Sequence, residues 1–157
     1  MKTKILSLGL ICLLISVSTF AQEKSKGPTS LQIYIKKAMQ TPLTFKVPRE
    51  KEEEVWGRIQ SFIAKYSSMK IQVATDYVIE TYNPTKTTEL NPKYGYKAIK
   101  TFIGNEVEFK VECFAGETVL RTNAGYKYNQ MKADHNAHIF ACYALTGEIE
   151  EEAVRRK

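Results

Sequence analysis

The sequence predicts an α+β domain: an antiparallel sheet of about five strands with one amphipathic helix packed on a face. Three stretches carry that prediction. From Lys51 to Tyr66 the apolar residues Val55, Trp56, Ile59, Phe62, Ile63 and Tyr66 recur every three or four positions, which gathers them on one side of a helix and leaves Glu52, Glu53, Arg58 and Lys65 to water. From Lys70 to Tyr82, Ile71, Val73, Tyr77 and Ile79 share one face and Lys70, Gln72, Asp76 and Glu80 the other, the period of a half-buried strand. From Glu106 to Phe114, Val107, Phe109, Val111 and Cys113 alternate with Glu106, Glu108, Lys110 and Glu112. A weaker strand over Lys93 to Ile103 meets this one at Gly104-Asn105, so the two read as a β-hairpin.

The helix is marked at both ends. Glu50, Glu52, Glu53 and Glu54 crowd its start and Lys65 lies near its end, as the helix dipole favours. Pro48 suits a first turn, where its missing N–H costs nothing. Gly57 is out of place, since a mid-helix glycine costs about 1 kcal/mol relative to alanine. Close approach of the helix to the sheet and a tolerated local weakness both account for it.

The remaining elements follow in chain order. Residues 1–21 read as a secretory signal: Lys2 and Lys4 form a short positive region, Ile5 to Val17 an apolar run, and Thr19-Phe20-Ala21 a small-x-small cleavage site. Cys12 sits inside the apolar run rather than at the processing site, which disfavours a lipoprotein. Cleavage would remove 21 of 157 residues and leave 136, enough for one domain with one core and no transmembrane segment. Residues 22–30 are polar, with Gly27 and Pro28, and read as a flexible leader to a single domain over 31–157. Leu31 to Met39 is ambiguous, its alternating Leu31, Ile33 and Ile35 favouring a strand or irregular segment. Leu43, Phe45 and Val47 alternate clearly and feed the helix as its preceding strand.

Asn83 to Pro92 contains two Asn-Pro steps and no apolar period, so it reads as a long polar loop. Ala115 to Asn136 reads as an irregular strand or a mobile loop. Ala137 to Leu145 is apolar on both faces, as a central strand would be, and Gly147 ends it. Glu148 to Lys157 runs from acids to bases and predicts a short terminal helix. The expected order is strand, helix, four strands and a possible C-terminal helix (β-α-β-β-β-β). Runs of adjacent strands beside a single helix favour a sheet with that helix on one face. This order resembles those of TATA-binding-protein-like and helix-grip folds; no family motif accompanies it.

Charge and motifs narrow the function. The net charge of +6 falls to +4 without the signal, which holds two lysines and no acids. That is too dilute for a nucleic-acid footprint, and export argues against nucleic acid as well. Cys113 and Cys142 remain after cleavage; on neighbouring strands in an oxidising compartment they would be candidates for a disulfide. The absence of a CxxC counts against an oxidoreductase.

His135 beside Asp134, and His138 four residues before Cys142, are the chain's histidines. On a helix Asp134, His138 and Cys142 would align; on a strand His138 and Cys142 share a face. Imidazole and thiolate suit zinc, but there is no HExxH and no full ligand set, so no metal or cofactor is assigned. Tyr94, Tyr96, Tyr126 and Tyr128 interleave with Lys97 and Lys127 and, with His138, form the candidate ligand-binding set. Two tyrosines of one strand would also serve simply to cover a sheet face.

No glycine-rich phosphate loop, GxSxG elbow or paired-carboxylate arrangement is present, and no catalytic residue is assigned. The expectation is an exported, non-catalytic domain that binds another protein or an envelope polymer. Two alternatives stand beside it: a carrier holding a small apolar ligand between helix and sheet beneath Trp56 and Gly57, and a small hydrolase or metal-dependent enzyme using His135, His138 and Asp134.

Overall fold

The computed structural model describes residues 27–87, 93–118 and 123–154. The expected signal, most of the leader and the end of the Asn83 to Pro92 loop lie outside these residues.

The hairpin is the centre of the sheet. Strand β5 (Tyr94–Ile103) and strand β6 (Glu106–Ala115) pair antiparallel along their whole length, from Tyr94 opposite Ala115 to Ile103 opposite Glu106. Gly104 supplies the turn with φ +60, a conformation that costs glycine little. Strand β1 (Thr44–Pro48) adds antiparallel to β6, placing Phe45 opposite Phe109 and Val47 opposite Val107.

The stretch from Lys70 to Tyr82 is not one strand but two, β2 (Ile71–Ala74) and β3 (Val78–Thr81). Thr75 breaks it. Its Oγ1 accepts the backbone N–H groups of Tyr77 and Val78, and its own N–H donates to the Val78 carbonyl. A side chain that satisfies the backbone locally competes with the ladder. The alternation runs through the turn, so the expected common face does not exist: Ile79 is buried, whereas Ile71 and Tyr77 are exposed.

The sheet order is β1-β6-β5-β3-β2, antiparallel throughout. Strand β2 lies at one edge, short and irregular in register between Ile71 and Val73, which blunts that edge. A separate two-stranded parallel bridge joins β4 (Lys86–Thr87) to β7 (Glu117–Thr118). It gives order to a stretch expected to be wholly loop.

Two helices depart from expectation and two meet it. Helix α1 (Ser30–Met39) replaces the strand or irregular segment expected over Leu31 to Met39, because Thr29 and Gln32 form a capping box that satisfies the first turn. Helix α2 (Glu52–Tyr66) is the expected amphipathic helix, entered from Pro48 through a 3-10 turn at Arg49–Lys51. Helix α3 (Asn123–Thr146) replaces both the irregular segment and the expected central strand over Ala137 to Leu145. Short helix α4 (Glu151–Val154) follows, as expected for the terminus.

The result is an α+β domain with a five-stranded antiparallel sheet and helices packed against it. Counted over the main sheet, the order is strand, helix α2 and four strands, as expected, with α1, α3 and α4 added to it. Among the described residues, no helix is long and apolar enough to cross a membrane.

One core fills the space between the layers. Phe62 of α2 stacks on Phe140 of α3 at 4.6 Å between ring centroids, and both meet the edge of Tyr96 from β5. Trp56 lies over Phe109 at 6.3 Å and is nearly enclosed, the core position expected of it. A Cβ at Gly57 would meet nothing within 4 Å, so close approach to the sheet does not explain that glycine.

The C-terminal end of α3 is held by α2. Arg58 donates from Nη1 to the carbonyls of Ala144 and Leu145, which are among the last carbonyls of the helix, and Gly147 leaves it with φ +76.

Candidate functional site

The rim of the helical layer holds a cavity of about 270 Å3, where the end of α1, the first half of α3, α4 and the start of β5 meet. Met39 ends α1, Met131 and Lys132 project from α3, and Ala153 and Val154 come from α4. Tyr94 enters from β5. Asp134, His135 and Asn136 complete the lining.

Local structure explains why these groups meet. Tyr94 opens β5, where its N–H donates to Ser68 Oγ, tying the strand to the exit of α2. On α3, Tyr128, Met131, Lys132 and His135 are spaced at helical intervals of three and four, so they share a face. Helix α4 is fastened by the ion pair between Glu151 and Lys65 at 2.6 Å, and its Ala153 is buried.

Two properties make the cavity chemically distinct. Its walls include two methionines, with Met131 62% exposed and Met39 38% exposed, whereas residues of that type ordinarily fill cores. Methionine is unbranched and polarizable, and it adapts to ligands of varied shape. Beside it, the Tyr94 hydroxyl is shielded from water without a hydrogen-bond partner. Burial first, then Cys113 and Tyr128, push the Tyr94 pKa up to about 12, so the hydroxyl keeps its proton and is available as a donor.

The structure divides the residues expected to bind ligand. Tyr94 lines the cavity and Tyr128 lies at its margin, exposed, with Lys132 Nζ 5.1 Å from its ring centroid. Tyr96 does not join them. It points into the core, 1% exposed, as the covering role for a sheet tyrosine requires. Tyr126 falls within α3, but its side chain lies outside the described residues. His138 is one turn farther along α3, half-buried, with Nδ1 donating to the Thr41 carbonyl at 2.8 Å and Nε2 4.0 Å from Asp134 Oδ1.

Asp134, His138 and Cys142 do align along a helix, but they do not form a ligand set. Cys142 is fully buried, in contact with the Tyr34 hydroxyl of α1. Among the described residues, no three His, Cys, Asp or Glu side chains are gathered closely enough to hold a metal ion.

The disulfide expected between Cys113 and Cys142 is not formed; both are free thiols. The expectation placed both on neighbouring strands, but Cys142 belongs to α3. Cys113 faces Tyr96 across the β5–β6 hairpin, and Cys142 faces Tyr34 across the α1–α3 contact. Each sulfur therefore has a tyrosine hydroxyl as neighbour. Burial drives the Cys113 thiol well above its ordinary range, and the Tyr96 contact offsets only part of that.

The space beneath Trp56, where an apolar ligand was envisaged, is occupied by Phe109 on one side and by Lys100, whose Nζ lies 4.9 Å from the Trp56 ring centroid. Of the residues singled out in the sequence, Tyr94, Asp134 and His135 line the cavity and Tyr128 adjoins its Lys132, whereas Met39, Met131, Lys132, Ala153 and Val154 were not singled out. Recognising them requires α3 to be a helix. No family model, curated protein or solved structure matches the chain.

Proposed function

We propose that the protein is an exported, non-catalytic binding domain that receives a small ligand in the cavity between α1, α3 and α4. The observation that carries this reading is the cavity itself, whose lining brings two exposed methionines together with Tyr94, a residue whose hydroxyl has no partner. A volume of about 270 Å3 is close to the small end of ligand pockets, roughly 300 to 1,000 Å3. That size favours a small molecule over the protein or envelope polymer expected from sequence.

One feature supports a non-catalytic reading. Burial holds the Cys113 thiol protonated, so it is not poised as a nucleophile. Export rests on Lys2, Lys4, the Ile5 to Val17 run and the Thr19-Phe20-Ala21 site.

The test is direct. With methyl-labelled methionine, the Met39 and Met131 signals are followed while benzyl alcohol, a neutral one-ring probe, is added. Saturable shifts of both signals, lost in Val154→Phe, are expected; unresponsive methyls would remove the cavity as a binding site. Export is tested separately by sequencing the N-terminus of the protein recovered from outside the cytoplasm, with Gln22 expected first.

A further inference from the structure

We infer that the ligand is a small aromatic monocarboxylate, bound with its ring against Met39 and Met131 and its carboxylate at Lys132 and Tyr94. This rests on the reading of the cavity as the binding site and adds the ligand's charge and size.

Size comes from volume. An apolar cavity of about 150 Å3 accommodates benzene. At about 270 Å3, this one has room for a ring and a short polar arm. Its apolar walls at Met39, Met131, Ala153 and Val154 suit the ring.

Charge comes from the two donors. Lys132 is half-buried on the lining, and its ammonium lies over the Tyr128 ring; among the described residues it makes no ion pair. A cation held against an aromatic face keeps N–H groups available for an anion. Tyr94, also on the lining, brings a hydroxyl that stays protonated through neutral pH and has no acceptor. One carboxylate has two oxygens and can accept from both, and a charge-assisted hydrogen bond is about twice as strong as a neutral one. A neutral ligand would leave the ammonium uncompensated.

Asp134 is the group that opposes an anion. Its side chain is 62% exposed and its Oδ1 is directed towards His138 Nε2, so solvent screens most of its repulsion.

The experiment compares phenylacetate, phenylacetamide and phenethylamine, three ligands of one size and different charge, on the full chain by calorimetry and methionine methyl shifts. Phenylacetate is expected to bind at least about tenfold more tightly than phenylacetamide, and phenethylamine more weakly than either. Lys132→Gln is expected to bring phenylacetate to the affinity of the amide while leaving the amide unchanged. Tyr94→Phe is expected to weaken phenylacetate with the methyl shifts preserved.

Equal binding of acid and amide, or acid binding unaffected by Lys132→Gln, would overturn the carboxylate inference and leave the cavity reading standing. No binding by any of the three would overturn both. Because Lys132 lies at the surface of α3, its variant should fold, and the unchanged amide affinity would verify that.

Discussion

Lys100 of β5 and Glu52 at the start of α2 form an ion pair inside the layer between sheet and helix, beneath the ring of Trp56. Lys100 belongs to the inner face of β5, opposite Phe109 and in line with Ala98 and Tyr96, and only 8% of it is exposed. A lysine there would be costly alone. Glu52 neutralises it, and Trp56 and Phe102 offer their ring faces to the ammonium.

The two partners are not equivalent. Removing the acid strands a desolvated ammonium, whereas removing the amine leaves Glu52 in the first turn of α2, where the helix dipole favours it and water reaches part of the side chain. Glu52→Gln should therefore destabilise the fold by about 3 kcal/mol, and Lys100→Met by clearly less, since methionine keeps the stem packed on Trp56. Urea unfolding of both variants checks the order. The reverse order would mean that the pair is held by the packing of the lysine stem rather than by charge.

Gly57 gives an opposite expectation. It lies inside α2, and a Cβ there meets nothing within 4 Å. The glycine therefore provides no close approach that alanine would spoil. Gly57→Ala should stabilise the protein by about 0.5 to 1 kcal/mol, mostly by restricting the unfolded chain and favouring the helix. A raised midpoint of thermal unfolding with unchanged far-ultraviolet dichroism is the expected result; a loss would show that the helix bends at this residue.

How far the sequence could be read follows from where each element meets water. Helix α2 and strand β6 each have one wet face, so their periods survive in the sequence and place Val107, Phe109 and Val111 correctly. Helix α3 does not. Ile139, Phe140, Ala141, Cys142 and Ala144 are all buried, because α1, α2 and the sheet enclose the second half of the helix, and the apolar period disappears.

The signal that remained was composition. Ala133, Ala137, Ala141 and Ala144 recur at helical spacing, in a residue type that favours helices and is scarce in strands. Thr29 and Gln32 similarly announced α1 through their capping box. Tyr94 could be singled out from its own neighbourhood, but Met39, Met131 and Lys132 acquire meaning only once α1 and α3 are helices. The disulfide expectation failed with the same strand assignment, since it needed Cys142 on a strand beside Cys113.

The free thiols make a chemical prediction. Cys113 faces Tyr96 and Cys142 faces Tyr34, with burial raising the Cys113 pKa. In the native protein at neutral pH, Cys113 should react slowly with a maleimide, because so little of it is thiolate. Denaturation should make Cys113 and Cys142 both reactive without any reductant. Finding a disulfide-linked Cys113–Cys142 peptide by mass spectrometry would contradict the observed placement.

The same buried hydroxyls and thiol predict how stability changes in alkali. Tyr34, Tyr94, Tyr96 and Cys113 all have raised pKa values, with desolvation the largest cause in each. For such acids the folded state holds its protons to higher pH than the unfolded chain does. Between the unfolded and folded pKa values the unfolded chain therefore binds fewer protons, and stability falls as pH rises. The contribution is fully present below pH 9, where unfolded cysteine and tyrosine are both mostly protonated. It begins to decline near 9.0, the ordinary cysteine value, steepens above 10.0, the ordinary tyrosine value, and continues past the region of about 12 where Tyr94 itself ionises. Urea midpoints measured from pH 7 to pH 11 should thus be level at first and then drop. Cys113→Ala should remove the earliest part of the decline, and Tyr96→Phe should flatten the part above pH 10. A wild-type midpoint that stayed level through pH 11 would show that these groups are reached by water in the folded protein.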